Sequence, residues 1–121
     1  MVKSEAKART SQLDSVFHAL SDSTRRSILR DIAKRKKTVG QIAKPYDMSL
    51  AAVSKHLRVL ENARLVEREK QGSFQVVRLK AEAMKPAQAW IAYYEQFWNR
   101  QLDALQQLLT EEDEQSKRKG A

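Results

Sequence analysis

Apolar residues recur at three- and four-residue spacing along most of this chain and at two-residue spacing along one short stretch. Leu13, Val16, Phe17 and Leu20 predict a first helix over about 11–20. Ile28, Leu29 and Ile32 give the buried stripe of a second. Ser21 or Asp22 caps its start, and Lys34, Arg35, Lys36 and Lys37 lie where cations suit a helix C-terminus. Thr38 through Gln41 has the form of a capping box and opens a short third helix with Val39, Ile42 and Ala43, which Pro45 stops. Ser49 caps a fourth helix running to about Asn62, with Met48 and Val53 spaced for a hydrophobic staple.

From Leu65 the period shortens. LVEREK and SFQVVRL are β-prone runs around Gln71 and Gly72, which predicts a hairpin over 65–79 with a two- or three-residue loop. After Pro86 helical spacing returns through Ile91, Tyr94, Trp98, Leu102, Leu105 and Leu109, widened by Trp90, Phe97 and Leu108. A helix over about 86–112 would be roughly 40 Å long. Residues 1–10 read as a flexible basic arm, 11–112 as one domain, and 113–121 as a charged flexible tail. The predicted fold class is mainly α with a small β-hairpin: a winged helix-turn-helix with N- and C-terminal dimerisation helices.

The fourth helix carries the most informative pattern. With successive residues about 100° apart, Leu50, Val53, Leu57 and Leu60 share one side and face the core. Ala51, Ser54, Lys55 and Arg58 share another side, made only of small residues and cations. Ala51 is small enough to meet a thymine methyl, Ser54 can bond a base edge or phosphate, and Lys55 and Arg58 reach guanine or phosphate oxygens. Ser49 caps the helix and stands close to where its free N–H groups would meet a phosphate.

The hairpin adds Arg68, Lys70, Ser73 and Arg78, of which Lys70 and Ser73 lie nearest the tip and are the chosen wing contacts. Arg68 has Glu67 or Glu69 as an alternative partner. Arg25 falls beside the buried stripe of its helix and is expected in a structural ion pair, whereas Arg26 faces solvent or phosphate.

Charge sharpens this picture. Residues 13–80 hold 15 Lys and Arg against 7 Asp and Glu, a net +8, the same as the formal charge of the whole chain. The excess thus sits in the segment containing the fourth helix and the hairpin, and it attracts polyanions. There is no cysteine, which excludes disulfides, thiolate catalysis and cysteine-based metal centres. No apolar run is long enough to span a membrane, and the N-terminal MVKSEAKARTSQ has no apolar signal region. The expectation is a cytoplasmic protein with no membrane partner.

Here a resemblance enters. MSLAAVSKHLRVLENARLV before a hairpin, preceded by ALSDSTRRSIL, resembles the ArsR family of bacterial winged-helix repressors over about residues 13–109. WIAYYEQFWNRQLDALQQLL resembles a subgroup lacking the metal-site cysteines. The resemblance implies a homodimer on an imperfect inverted repeat in double-stranded DNA, with the fourth helix in the major groove. It implies Ser49, Ala51, Ser54, Lys55 and Arg58 as the base- and phosphate-contacting set.

Two departures stand out. Arg64 occupies a position where the family usually has glycine; either it is left-handed, at a strain of about 1–2 kcal/mol, or the helix ends one residue differently. The metal ligands of many relatives are missing, since His18 and His56 are the only histidines. His56 flanks the apolar stripe and reads as a hydrogen-bonded structural residue. His18 has no partner at ligand spacing, so no metal site and no cofactor are expected.

Two-fold reading of a palindrome needs a dimer. The first and last helices carry more apolar surface than one small core requires. The seam is assigned to Leu13, Phe17, Trp90, Tyr94, Phe97, Trp98, Leu102 and Leu105, with Tyr93 nearby, rich in residue types favoured at interfaces. An enzyme is not expected: no catalytic residue set, phosphate loop or nucleotide fingerprint is present. The competing class is a basic interaction module that binds an acidic protein, against which the recognition helix and wing argue.

Overall fold

The computed structural model describes the backbone of residues 2–119 and the side chains of residues 11–119. The chain divides into two compact units, Met1–Ala87 and Gln88–Ala121. In the first, α1 (Val2–Leu20), α2 (Ser23–Lys34), strand β1 (Lys37–Thr38), α3 (Val39–Ala43), α4 (Leu50–Asn62), β2 (Val66–Gln71), β3 (Phe74–Leu79) and a 3₁₀ turn (Ala81–Met84) follow one another. A last helix, α5 (Lys85–Lys119), begins there and forms the second unit.

Local side-chain caps set the starts of the helices. Asp22, not Ser21, caps α2, its Oδ2 accepting from the Arg25 N–H at 3.0 Å. Thr38 Oγ1 accepts from the Gln41 N–H at 3.2 Å while Gln41 Oε1 accepts from the Thr38 N–H at 2.9 Å, which completes the expected capping box. Ser49 Oγ accepts from the Ala52 N–H at 3.1 Å and opens α4. Each cap satisfies an N–H that the helix itself leaves unpaired, worth about 1 kcal/mol.

The core of the first unit lies where these helices meet the sheet. Val16 and Ala19 of α1, Ile28, Leu29 and Ile32 of α2, Ile42 of α3, and Val53, Leu57 and Leu60 of α4 are buried with Leu65, Val66 and Val77. Leu50, expected on the same stripe, is instead 61% exposed. It lies one turn beyond Val53, and Met48 packs against the core at that end of the helix, so the core stops short of Leu50.

The hairpin becomes a three-stranded antiparallel sheet in the order β1-β3-β2. The short β1 pairs Lys37 with Val77 and Thr38 with Val76, a contact that no local pattern announces. Gln71 pairs with Phe74, so the hairpin loop is the two residues Gly72 and Ser73. Gly72 at φ +61, with a negative φ at Ser73, suits a type II′ turn; Gly-Ser rather than Gln-Gly was the turn signal.

Both chain ends differ from expectation. The segment read as a flexible arm is helical backbone from Val2 on, and α5 continues beyond 112 to Lys119. Neither end has the apolar periodicity used to find helices, but Ala, Glu, Gln, Lys and Arg are strong helix formers. Gly120 and Ala121 lie outside the described residues.

Arg64 is left-handed, at φ 60, as one of the two readings of the sequence required. The Leu65 N–H bonds the Leu60 carbonyl at 3.0 Å and the Arg64 N–H bonds the Glu61 carbonyl at 2.9 Å, the two bonds of a Schellman motif. Buried Leu60 and Leu65 supply the apolar contact that accompanies it. The motif turns the chain from α4 into the wing at a strain of about 1–2 kcal/mol. Glycine would remove that strain but loosen the unfolded chain by about 0.4–1 kcal/mol. Arg64→Gly is therefore expected to raise unfolding stability by about 0.5–1 kcal/mol, measured by urea denaturation with an unchanged m-value.

Candidate nucleic-acid interface

Burial of Val53, Leu57 and Leu60 fixes the rotation of α4 about its own axis. The opposite side is then free: Ser49, Ala51, Lys55 and Arg58 are exposed and Ser54 is half-buried. Truncating a fully buried leucine such as Leu57 costs about 2–5 kcal/mol, more than any plausible gain from turning a cation-bearing face inward. The orientation is set by the core, and the outer face inherits it.

Behind α4 a polar cluster joins three helices. Arg25 Nε donates to the Ala19 carbonyl at 2.8 Å and its Nη2 to the His18 carbonyl at 3.0 Å, so it closes the C-terminal end of α1. Its Nη1 lies 3.4 Å from His56 Nδ1 on α4. This corrects the expected ion pair: a guanidinium has five donors in a fixed fork, and two backbone carbonyls left open at a helix end take them. His56 holds the structural place expected of it, with Nδ1 3.8 Å from Asp22 Oδ2. The Arg25 N–H bond to Asp22, helped by the charges of Arg25 and His56, holds that carboxyl below the usual carboxylate range. The contribution of Asp22 to stability is thus present above its unfolded value of about 3.9 and is lost as pH falls through the lower folded value.

The cations of the wing divide into two sets. Arg78 pairs with Glu69 and, at 3.7 Å, with Glu67, which also lies 3.6 Å from Lys80 Nζ. Arg78 is therefore committed to a surface ion network. Arg68 is committed too, but not to Glu67 or Glu69. Its Nε donates to Glu61 on α4, its Nη2 to the Ser54 carbonyl at 3.3 Å and its Nη1 to Gln75 at 3.3 Å. Strand alternation explains the choice: Arg68 lies opposite Val77 in register, on the face turned to the core and α4. Sequence reasoning missed this clasp, although Glu61 on the flank of α4 and the even spacing from Val66 to Arg68 were its signal.

On α4 and the hairpin three cations stay out of these ion pairs. Among the described residues, Lys55, Arg58 and Lys70 make no ion pair, and Lys70 and Ser73 are exposed at the hairpin tip. Arg26, expected to face solvent, is exposed but donates to the Leu20 carbonyl at 2.7 Å. Among the described residues no three metal-ligating side chains come together, and no helix is long and apolar enough to cross a membrane.

The second unit has a different surface. Tyr94, Phe97, Trp98, Leu102 and Leu105 are exposed along α5, as is Trp90. Leu13 and Phe17, assigned with them to a dimer seam, are half-buried against the core of the first unit, so part of their surface is already used.

A short helix, a tight turn, a second helix with a basic outer face and a small antiparallel sheet define a winged helix-turn-helix DNA-binding domain. Residues 22–68 match the family described as bacterial regulatory protein, arsR family. The chain is 34% identical over 99 residues to the HTH-type transcriptional regulator Rv2034 of Mycobacterium tuberculosis, covering 82% of this chain and 90% of that protein. It is 30% identical over 79 residues to the transcriptional repressor SdpR of Bacillus subtilis, covering 65% of this chain and 88% of that one. The solution structure of the homodimeric winged helix-turn-helix DNA-binding domain Mb0332 from Mycobacterium bovis superposes with a TM-score of 0.61 at 29% identity, over 76% of this chain and 87% of that one. This chain belongs to the ArsR family and is a transcriptional regulator with that family's DNA-binding domain.

The clasp gives a direct prediction. Arg68→Met removes a half-buried guanidinium from three partners and is expected to cost about 1–2 kcal/mol of stability. Combined with Glu61→Gln, the double-mutant cycle should show a coupling of about 1 kcal/mol. A coupling near zero in urea unfolding would mean that the two side chains act independently.

Proposed function

We propose that this regulator is a sequence-specific repressor that binds double-stranded DNA as a homodimer on an imperfect inverted repeat. In this reading α4 enters the major groove and the β2–β3 hairpin lies along the neighbouring backbone or minor groove. One observation carries it: the side of α4 opposite its buried stripe presents small residues and two unpaired cations, Lys55 and Arg58. A flat polyanion can approach such a face closely, and its groove floor offers acceptors to both cations. Ser49, Ala51 and Ser54 supply short contacts beside them, and Lys70 and Ser73 supply the wing contacts.

Repression has the support of a relative named as a transcriptional repressor. Dimerisation has the support of a structural neighbour named as homodimeric and of the apolar face of α5. Trp90, Tyr94, Phe97, Trp98, Leu102 and Leu105 would be covered by a second copy, with the remaining surface of Leu13 and Phe17. Two copies then place their α4 helices about 34 Å apart, one turn of the duplex.

Binding to a duplex chosen from a randomised pool tests the reading. Affinity should fall steeply with salt, and light scattering should give the mass of two chains. Lys55→Ala and Arg58→Ala should each weaken binding. Whichever reads a base should also relax preference at one position by about 1–3 kcal/mol. No preference for any sequence over bulk DNA, or a single-chain mass at micromolar concentration, would contradict the proposal.

A further inference from the structure

Among the described residues of the first unit, two large apolar side chains are exposed: Leu50 at 61% and Phe74 at 64%. Single exposed apolar residues are common on protein surfaces, so their positions decide whether these matter. Leu50 is the first residue of α4, between the Ser49 cap and Ala51. Its direction falls between the buried stripe and Ser54, at the leading end of the helix. Phe74 is the first residue after the Gly72–Ser73 turn and pairs with Gln71, while Lys70 lies opposite Gln75 in register and stands on the other face of the hairpin tip. By strand alternation it stands on the face opposite Val77, away from the core. The first unit thus exposes one apolar side chain on α4, which carries Lys55 and Arg58, and one on the hairpin, which carries Lys70, three cations that make no ion pair among the described residues.

We propose that Leu50 and Phe74 are DNA-contacting residues that add an apolar component to binding. This rests on the reading of α4 and the hairpin as DNA-binding elements, and goes beyond it in assigning a chemistry. Leu50 packs on thymine C5 methyl groups, the apolar feature of the major groove floor; its longer side chain reaches further from the helix axis than Ala51. Phe74 lies against the deoxyribose walls of the minor groove, while Lys70, on the other face of the same hairpin tip, is drawn in by the negative potential of narrow A·T tracts. An exposed leucine and an exposed phenylalanine lose water on such contacts without requiring a hydrogen bond partner.

The test uses the full chain and the duplex it selects. Leu50→Ala and Phe74→Ala should each weaken binding about tenfold with no change in the slope of log affinity against log salt. Lys70→Ala should instead lower that slope by about 1. Replacing thymine with deoxyuracil removes only major-groove methyls. It should weaken the wild type and Phe74→Ala by about fourfold per contacted methyl and leave Leu50→Ala unaffected. Phe74→Ala should lose hydroxyl-radical protection of the deoxyriboses under the wing.

A uracil penalty retained in Leu50→Ala would assign the methyl contact to Ala51 and overturn the role of Leu50. Unchanged affinity of Phe74→Ala, in a protein whose Lys70→Ala variant is impaired, would overturn the role of Phe74. A wild-type chain that selects no duplex would remove the functional reading itself, and this inference with it.

Discussion

The burial of one stripe of α4 is the constraint on which the rest of the first unit depends. Val53, Leu57 and Leu60 have no solvent-exposed surface, and they fill the space between α1, α2 and the sheet. Their side chains fix which way the helix is rolled, and everything on its far side follows. A basic face that is not anchored in this way would be averaged by rotation and would read nothing. The Ser49 cap and the Schellman turn at Arg64 fix where the helix begins and ends, and so which residues occupy the outer face.

The charges of this unit are sorted by partner. Arg25 and Arg26 close carbonyls at the end of α1. Arg68 ties β2 to α4, and Arg78 and Lys80 are absorbed by Glu67 and Glu69. These cations hold elements in place, and their energetic value lies in hydrogen bonds made within the fold. Lys55, Arg58 and Lys70 have no such commitment among the described residues. On α4 and the hairpin a count of positive charge could not separate the committed cations from the uncommitted ones; the hydrogen bonds and ion pairs of Arg68 and Arg78 do. The clasp through Arg68 also has a mechanical consequence, because it bonds the backbone of Ser54 and thereby couples the wing to α4.

Much of this was legible in the sequence, and what was legible was local. Capping residues act over three positions, so Thr38 with Gln41, and Ser49, could be read directly, and so could the buried stripes of α2 and α4. The left-handed Arg64 could be anticipated from the glycine that the family resemblance implies at that position. What failed was non-local or non-apolar. The pairing of Lys37 and Thr38 with β3 joins segments far apart in the chain. The partner of Arg68 depends on how the wing leans on α4, and Leu50 depends on where the core ends. The helical ends, from Val2 and out to Lys119, carry no apolar pattern to detect. The face of α4 proposed to bind DNA lies at the surface: Ser49, Ala51, Lys55 and Arg58 are exposed, with Ser54 half-buried beside them.

The central question is whether DNA sits on the outer face of α4. Backbone amide chemical shifts recorded while the protein is titrated with its selected duplex test this most directly. The predicted result is that the largest changes fall on residues 49–58 and 70–75, the outer face of α4 and the tip of the wing. Changes confined to other surfaces, with the amides of Ser54, Lys55 and Arg58 unmoved at saturation, would contradict it.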